Sequence, residues 1–168
     1  IRQTSKNKQA LIKKYKRTLT DNSLKKANLS NGRLVYSRTC QKCHRLFGEG
    51  GKIGPDLTGS NRANLDYILE NVLDPSAVIG KDYRLINIRT VEARLISGII
   101  VDRNEISVTV QTVNDRVVVA NDDIDEMQTS SISMMPEGQL DKLPPNYIRD
   151  LVAYLRSKEQ APLPKSAK

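Results

Sequence analysis

Gly32-Arg-Leu-Val-Tyr36-Ser-Arg-Thr-Cys40-Gln41-Lys42-Cys43-His44 is the stretch on which the reading of this 168-residue chain turns. Gly32 and Tyr36 lie one helical turn apart, and Leu34 and Val35 supply apolar neighbours. Ser30 is a suitable N-cap, so the spacing predicts a helix that opens near residue 30 and runs into the cysteines. The helix delivers Cys40-x-x-Cys43-His44, the attachment pattern of a c-type haem. That chemistry needs these residue types at this spacing. Two thiols three positions apart can each add, S–H across C=C, to a vinyl group of one porphyrin, and the adjacent imidazole then becomes the proximal ligand of the iron. Three other readings stay open. A redox dithiol usually accompanies a βαβ pattern, which does not surround this motif; a zinc site would need a fourth ligand; a structural disulfide would suit an oxidising compartment.

His44 is the single histidine of the chain. Two-histidine metal sites are therefore excluded, and a Ser-His-Asp triad would have to use this residue; no catalytic set is assigned. Just downstream, Gly54-Pro55-Asp56-Leu57 forms a rigid segment within a glycine-rich loop, residues 46–63. The Pro55 carbonyl is expected to accept the His44 Nδ1–H, which would fix the ring and raise its basicity. With no second histidine, the distal ligand is a methionine, a lysine or nothing. Met134-Met135-Pro136 stands in a polar loop before the last predicted helix. Most methionines fill cores, and this pair fits that role poorly. Met135 is the favoured ligand, because Pro136 stiffens its backbone, with Met134 as the alternative.

Outward from the motif the chain divides by pattern. Residues 1–29 read as a basic arm or linker with a short amphipathic helix, on which Leu11, Ile12, Tyr15 and Leu19 recur at helical spacing. Residues 30–158 read as one domain. Its second helix carries Leu65, Ile68, Leu69, Val72 and Leu73, capped by Asn64 and stopped by Pro75. Its last helix starts at Pro144-Pro145 and presents Ile148, Leu151, Val152 and Leu155. Between them, residues 82–130 change period. Ile106, Val108 and Val110 alternate with polar residues, 117–119 is β-branched throughout, Asn114-Asp115 suits a hairpin turn, and 85–91 and 94–101 read as further strands. The prediction is an inserted antiparallel sheet of about four strands. Residues 159–168 read as a flexible tail.

Hydrophobic residues make up 38% of the chain, with no Trp and one Phe, so the core must be aliphatic and tryptophan-based binding cages are excluded. The net charge of +8 is unevenly spread: residues 1–33 hold ten Lys/Arg and only Asp21 in opposition, whereas the remainder is nearly neutral. A basic arm can meet nucleic acid, an anionic membrane or an acidic partner. No aromatic interleaving or recognised motif supports nucleic acid. There is no apolar run long enough to span a membrane. Residues 1–10 lack a signal-peptide pattern, and the chain reads as a fragment of a longer precursor.

Taken in order, Gly32-x-x-x-Tyr36-x-x-x-Cys40-x-x-Cys43-His44, Gly54-Pro55-Asp56-Leu57, Met135-Pro136 and Asp150-Leu-Val-Ala-Tyr154-Leu155 resemble a class I cytochrome c. Residues 32–157 are more closely similar to the haem-binding domain family of planctomycete and verrucomicrobial proteins. Gly48-Glu-Gly-Gly51, residues 59–64, Asp74-Pro-Ser-Ala77 and Ser133-Met-Met-Pro-Glu-Gly138 carry that likeness. Pro144 departs from it, since the family tends to have a serine cap there.

The resemblance implies a mainly α cytochrome c fold of three core helices with the small antiparallel sheet inserted, α+β overall. It implies one covalent haem c with His44 and Met135 as axial ligands, a saturated iron and one-electron transfer rather than enzymatic turnover. Arg62 and Tyr83 are candidate partners of the haem propionates. A redox partner protein or a fused dehydrogenase domain is expected, together with a periplasmic or otherwise exported location, and the sheet edges offer a surface for a homodimer. The alternative is a haem enzyme or gas sensor, peroxidase-like or CO/NO-binding, with a labile sixth ligand.

Overall fold

The computed structural model describes residues 5–165; the first four residues of the expected arm and the last three of the expected tail lie outside the described residues. The chain forms two compact units. One takes the chain up to Ala77 and again from Pro136; the other is Val78–Met135.

The first unit is helical, with α1 (Lys6–Thr18), α2 (Asp21–Leu24), α3 (Leu29–Thr39), α4 (Leu65–Leu73) and α5 (Pro145–Arg156). The helices start where side chains can take the orphan N–H groups of a first turn. Asn64 accepts from Asp66 and Tyr67 at the head of α4, and Asn28, rather than Ser30, accepts from Asn31 at the head of α3. Pro145 occupies the first position of α5, where a missing N–H costs nothing.

Helices α3 and α5 cross at Gly32. A Cβ there would collide with the Asp150 carbonyl and stand 2.7 Å from the Tyr154 Cβ, so only glycine permits the approach. Around this crossing Val35, Tyr36, Leu69, Leu73, Leu151, Val152 and Tyr154 are all buried. Each contributes about 1.5–3 kcal/mol of hydrophobic stabilisation. The carboxylate of Asp150, 2% exposed, accepts from the Asn28 N–H at 3.0 Å and from Asn31 Nδ2 at 2.8 Å. In this way α5 caps the N-terminus of α3.

The basic N-terminal segment is part of this core. Leu19 is 3% exposed, and Leu11, Ile12, Tyr15 and Leu24 pack against the same cluster. Lys8 Nζ donates to the Leu73 carbonyl at 2.7 Å, closing the C-terminus of α4, where a cation also meets the negative end of the helix dipole.

The second unit is a five-stranded antiparallel sheet: β3 (Ile86–Thr90), β4 (Leu95–Arg103), β5 (Ser107–Gln111), β6 (Arg116–Ala120) and β7 (Ile124–Thr129), in the order β6-β5-β4-β3-β7. Strand β4 is shared along its length. Residues 95–98 pair with β3, and from Ile99 onward it pairs with β5, past a bulge between Ile100 and Asp102. The sheet bends there. Ile86, Ile88, Ile96, Val108, Val110 and Val119 bury one another as a separate core, with Ile124 and Met127 against it.

The expected mainly α cytochrome c fold with a small insert does not hold. The chain is α+β, with five helices, the five-stranded sheet and a two-stranded hairpin, β1 (Arg45–Leu46) with β2 (Glu49–Gly50), among the described residues. The physical reason is that residues 78–135 enclose their own apolar core and form a unit in their own right. The fifth strand, β7, escaped the sequence pattern because it is an edge strand rich in acids, Ile-Asp-Glu-Met-Gln-Thr, which only pairing with β3 makes regular. The β1–β2 hairpin lies in the stretch read as loop. Its two-residue turn places Phe47 at φ 52° and Gly48 at φ 84°, the left-handed pair that suits the twist of a hairpin. No helix among the described residues is long and apolar enough to cross a membrane.

Candidate functional site

Helix α3 stops at Thr39, so the motif lies in a turn at the end of the helix. The Cys43 and His44 N–H groups both return to the Cys40 carbonyl, at 3.1 and 2.9 Å, and Cys40 N–H donates to Tyr36. The following loop folds back over this turn: Gly51 N–H donates to the Gln41 carbonyl and Gly54 N–H to the Cys43 carbonyl, each at 2.8 Å. Gly50 sits at φ 121°, and a Cβ there would collide with the His44 carbonyl.

His44 is held from three sides. Its Nδ1 stands 2.9 Å from the Pro55 carbonyl oxygen, the contact expected from the sequence. A carbonyl only accepts, so Nδ1 carries the proton and Nε2 keeps its lone pair. Gly54 lies against the ring: a Cβ built on it would be 2.7 Å from Cε1 and 2.8 Å from Nδ1. The buried Tyr36 hydroxyl donates to the His44 carbonyl at 2.8 Å. Burial pushes the Tyr36 pKa up, which keeps that donor protonated. Burial pushes the imidazole pKa down, opposed by the Pro55 bond, and so favours the neutral ring that a metal requires. Tyr154 packs on Tyr36 at 5.5 Å between ring centroids, and Phe47 meets Tyr154 edge-on at 6.3 Å.

Cys40 and Cys43 carry free, half-buried thiols. Burial raises the Cys40 pKa, against a lowering contact with Thr39 Oγ1. The thiol of a dithiol oxidoreductase is shifted the other way, toward thiolate. Among the described residues no three His, Cys, Asp or Glu side chains converge to hold a metal ion. The motif thus offers two thiols, of which Cys40 is held away from the thiolate form, beside one oriented imidazole whose Nε2 lone pair is available.

Arg62 is committed to the protein. Its Nε donates to Leu57, Nη1 to Leu155 and Ser157, and Nη2 to the Thr58 carbonyl, while the guanidinium lies 5.0 Å from the Phe47 ring centroid. Four of its five N–H groups thus tie the loop after the motif to the end of α5, and one remains for an acidic ligand. Tyr83, half-buried, closes a 3-10 turn (Lys81–Tyr83) in the sheet unit. Met134 and Met135, also half-buried, end that unit, and the Met135 N–H donates to Ser133 Oγ at 3.1 Å. The structure thus gathers Cys40, Cys43, His44, Pro55 and Arg62 within the helical unit and carries Tyr83, Met134 and Met135 on the sheet unit.

Sequence reasoning placed Tyr36 on the helix face but missed its bond to the His44 carbonyl, and it missed Gly54 as the seat of the ring. For Tyr36 the signal was present, since a tyrosine eight residues before the histidine and one turn after a glycine marks a close helix crossing. For Gly54, proximity to Pro55 was the only hint. Arg45 Nε, next in the chain after His44, is buried without a hydrogen-bond partner among the described residues. No family model matches the chain, and no curated protein matches it.

Proposed function

We propose that this chain carries one covalent haem c and passes single electrons, as the relay portion of a larger exported oxidoreductase. The observation that carries the reading is the seat of His44: in the Cys-x-x-Cys-His setting, the imidazole is turned by Pro55 and Gly54 so that Nδ1 is spent and Nε2 keeps its lone pair. Cys40 and Cys43 would supply the two thiols for thioether links, and His44 and Met135, with Met134 as the alternative, would supply the nitrogen and sulfur ligands of the iron. When bound, the group supplies an iron that alternates between Fe(III) and Fe(II).

The residues of the chain have separate duties. The Pro55 carbonyl holds the Nδ1 proton and increases the electron donation of the ring. Tyr36 and Gly54 keep the ring from turning. Arg62 anchors the loop and offers its remaining N–H to a carboxylate. A methionine sulfur on the iron would favour Fe(II) relative to imidazole, and ligation by both His44 and Met135 would suit electron transfer over ligand chemistry. Covalent attachment of this kind belongs to compartments outside the bacterial cytoplasm, and the reading of the chain as periplasmic or otherwise exported rests on that attachment.

The test is expression in a host competent for c-type haem maturation, with the purified chain denatured, separated by electrophoresis and stained for haem peroxidase activity. Stain is expected to travel with the wild-type chain and to vanish in Cys40→Ala/Cys43→Ala. A stainless wild-type chain would refute the proposal. Rapid CO binding by the reduced protein, unchanged by Met135→Ala and Met134→Ala, would shift the function to a haem enzyme or gas sensor.

A further inference from the structure

Helix α1 contains no acidic residue, and its six cations divide by position. Lys8 and Lys16 flank the buried face and are consumed there, Lys8 by the Leu73 carbonyl and Glu137, Lys16 by Asp66 at 2.7 Å. Lys6, Lys13, Lys14 and Arg17 are exposed, and none forms an ion pair with a described residue. Their spacing of i, i+7, i+8 and i+11 puts them on one stripe, opposite Leu11, Ile12, Tyr15 and Leu19, which face the core. The stripe runs roughly 16 Å along the helix.

We propose that this stripe docks the protein electrostatically on an anionic phospholipid surface. The chemistry selects that partner. A protein interface is built around a desolvated aromatic or aliphatic anchor, and single-stranded nucleic acid needs aromatic stacking platforms. The stripe holds neither, with only Gln9 and Ala10 between its cations. The apolar side of α1 is already spent on the core, so the helix cannot embed in the bilayer as an amphipathic anchor does. What remains is a straight row of fixed positive charge, which suits a laterally continuous, sequence-free anionic plane. Each cation near such a surface strengthens binding about fivefold, and the attraction fades within a Debye length of about 10 Å at 0.1 M salt. This inference does not depend on the cofactor.

The experiment is co-sedimentation of the full chain with vesicles of phosphatidylcholine alone, or with about one third phosphatidylglycerol. Binding is expected only to the anionic vesicles and is reversed by salt. The variant Lys6→Gln/Lys13→Gln/Lys14→Gln/Arg17→Gln should lose several-hundred-fold in partitioning, about fivefold per charge, while its unfolding midpoint stays at the wild-type value. The control Lys25→Gln/Lys26→Gln/Lys142→Gln/Lys158→Gln removes the same charge from other exposed positions and should retain most of the binding. The proposal is overturned by equal loss in both variants, by equal binding to neutral vesicles, or by no vesicle binding. Binding to an acidic protein or to RNA in place of vesicles overturns it equally.

Discussion

Gly54→Ala tests the seat of His44 directly. The substitution introduces one methyl group at a position whose backbone is not left-handed, so any cost must come from what that carbon meets. It meets the imidazole, at 2.7 Å from Cε1, 2.8 Å from Nδ1 and 3.1 Å from Nε2. Carbon atoms rest about 3.5–4.0 Å apart, so the ring must retreat by roughly 1 Å. The ring is also bound to the carbonyl of the next residue, Pro55, at 2.9 Å. Retreat breaks that bond, worth about 1 kcal/mol net, and overpacking of a filled site adds about 1–3 kcal/mol. Restricting the unfolded chain returns about 0.4–1 kcal/mol. The expected outcome is a loss of about 1–3 kcal/mol in equilibrium urea unfolding, followed by far-UV circular dichroism under reducing conditions. Gly59→Ala is the companion: no atom lies within 4 Å of its added carbon, so stability should stay within about 0.5 kcal/mol. In a His44→Ala background the obstructing ring is gone, and the Gly54→Ala penalty should fall close to zero. An unchanged penalty in that background, or a wild-type midpoint for Gly54→Ala alone, would refute the assignment of Gly54 as the wall behind the imidazole.

Two further outcomes follow from the same unit. Asp150→Ala leaves the Asn28 N–H and Asn31 Nδ2 without their buried acceptor and should cost about 2–3 kcal/mol in urea unfolding, with Asp150→Asn recovering part of it. Asp56 is exposed, and its pKa is lowered from 3.8 chiefly by the bond it accepts from the Thr58 N–H. A depressed folded-state pKa means stability that is complete above 3.8 and lost as pH falls through the folded-state value. Asp56→Asn keeps an acceptor oxygen but does not titrate, so its acid unfolding curve should be flatter in that window than the wild type's.

The chemistry-bearing residues were legible because their spacing is local. Cys40, Cys43 and His44 sit within five positions, and the Pro55 contact follows from a rigid segment only 11 residues downstream. The helices were legible from apolar periodicity and caps, Asn64 above all. The sheet unit was readable as strands where Ile, Val and Thr alternate. It was not readable as an independent unit, because mutual burial of Ile88, Val108 and Val110 depends on the shared strand β4 and its bulge, a property of pairing rather than of any segment. In the N-terminal segment the apolar face of the amphipathic helix was legible from spacing, whereas the core that it meets, with Leu19 at 3% exposure, is set by the fold.

Read alone, the amino-acid order determined which groups can do chemistry here: two thiols, one imidazole, and the proline whose carbonyl turns it. Only the tertiary structure decided that a glycine backs that ring, that Tyr36 grips its backbone, that Arg62 spends four donors on the main chain, and that the β segment closes a core of its own. The division has one cause. Bonding capacity is intrinsic to a residue and its near neighbours, whereas burial and steric contact are set by atoms that the fold brings from far along the chain.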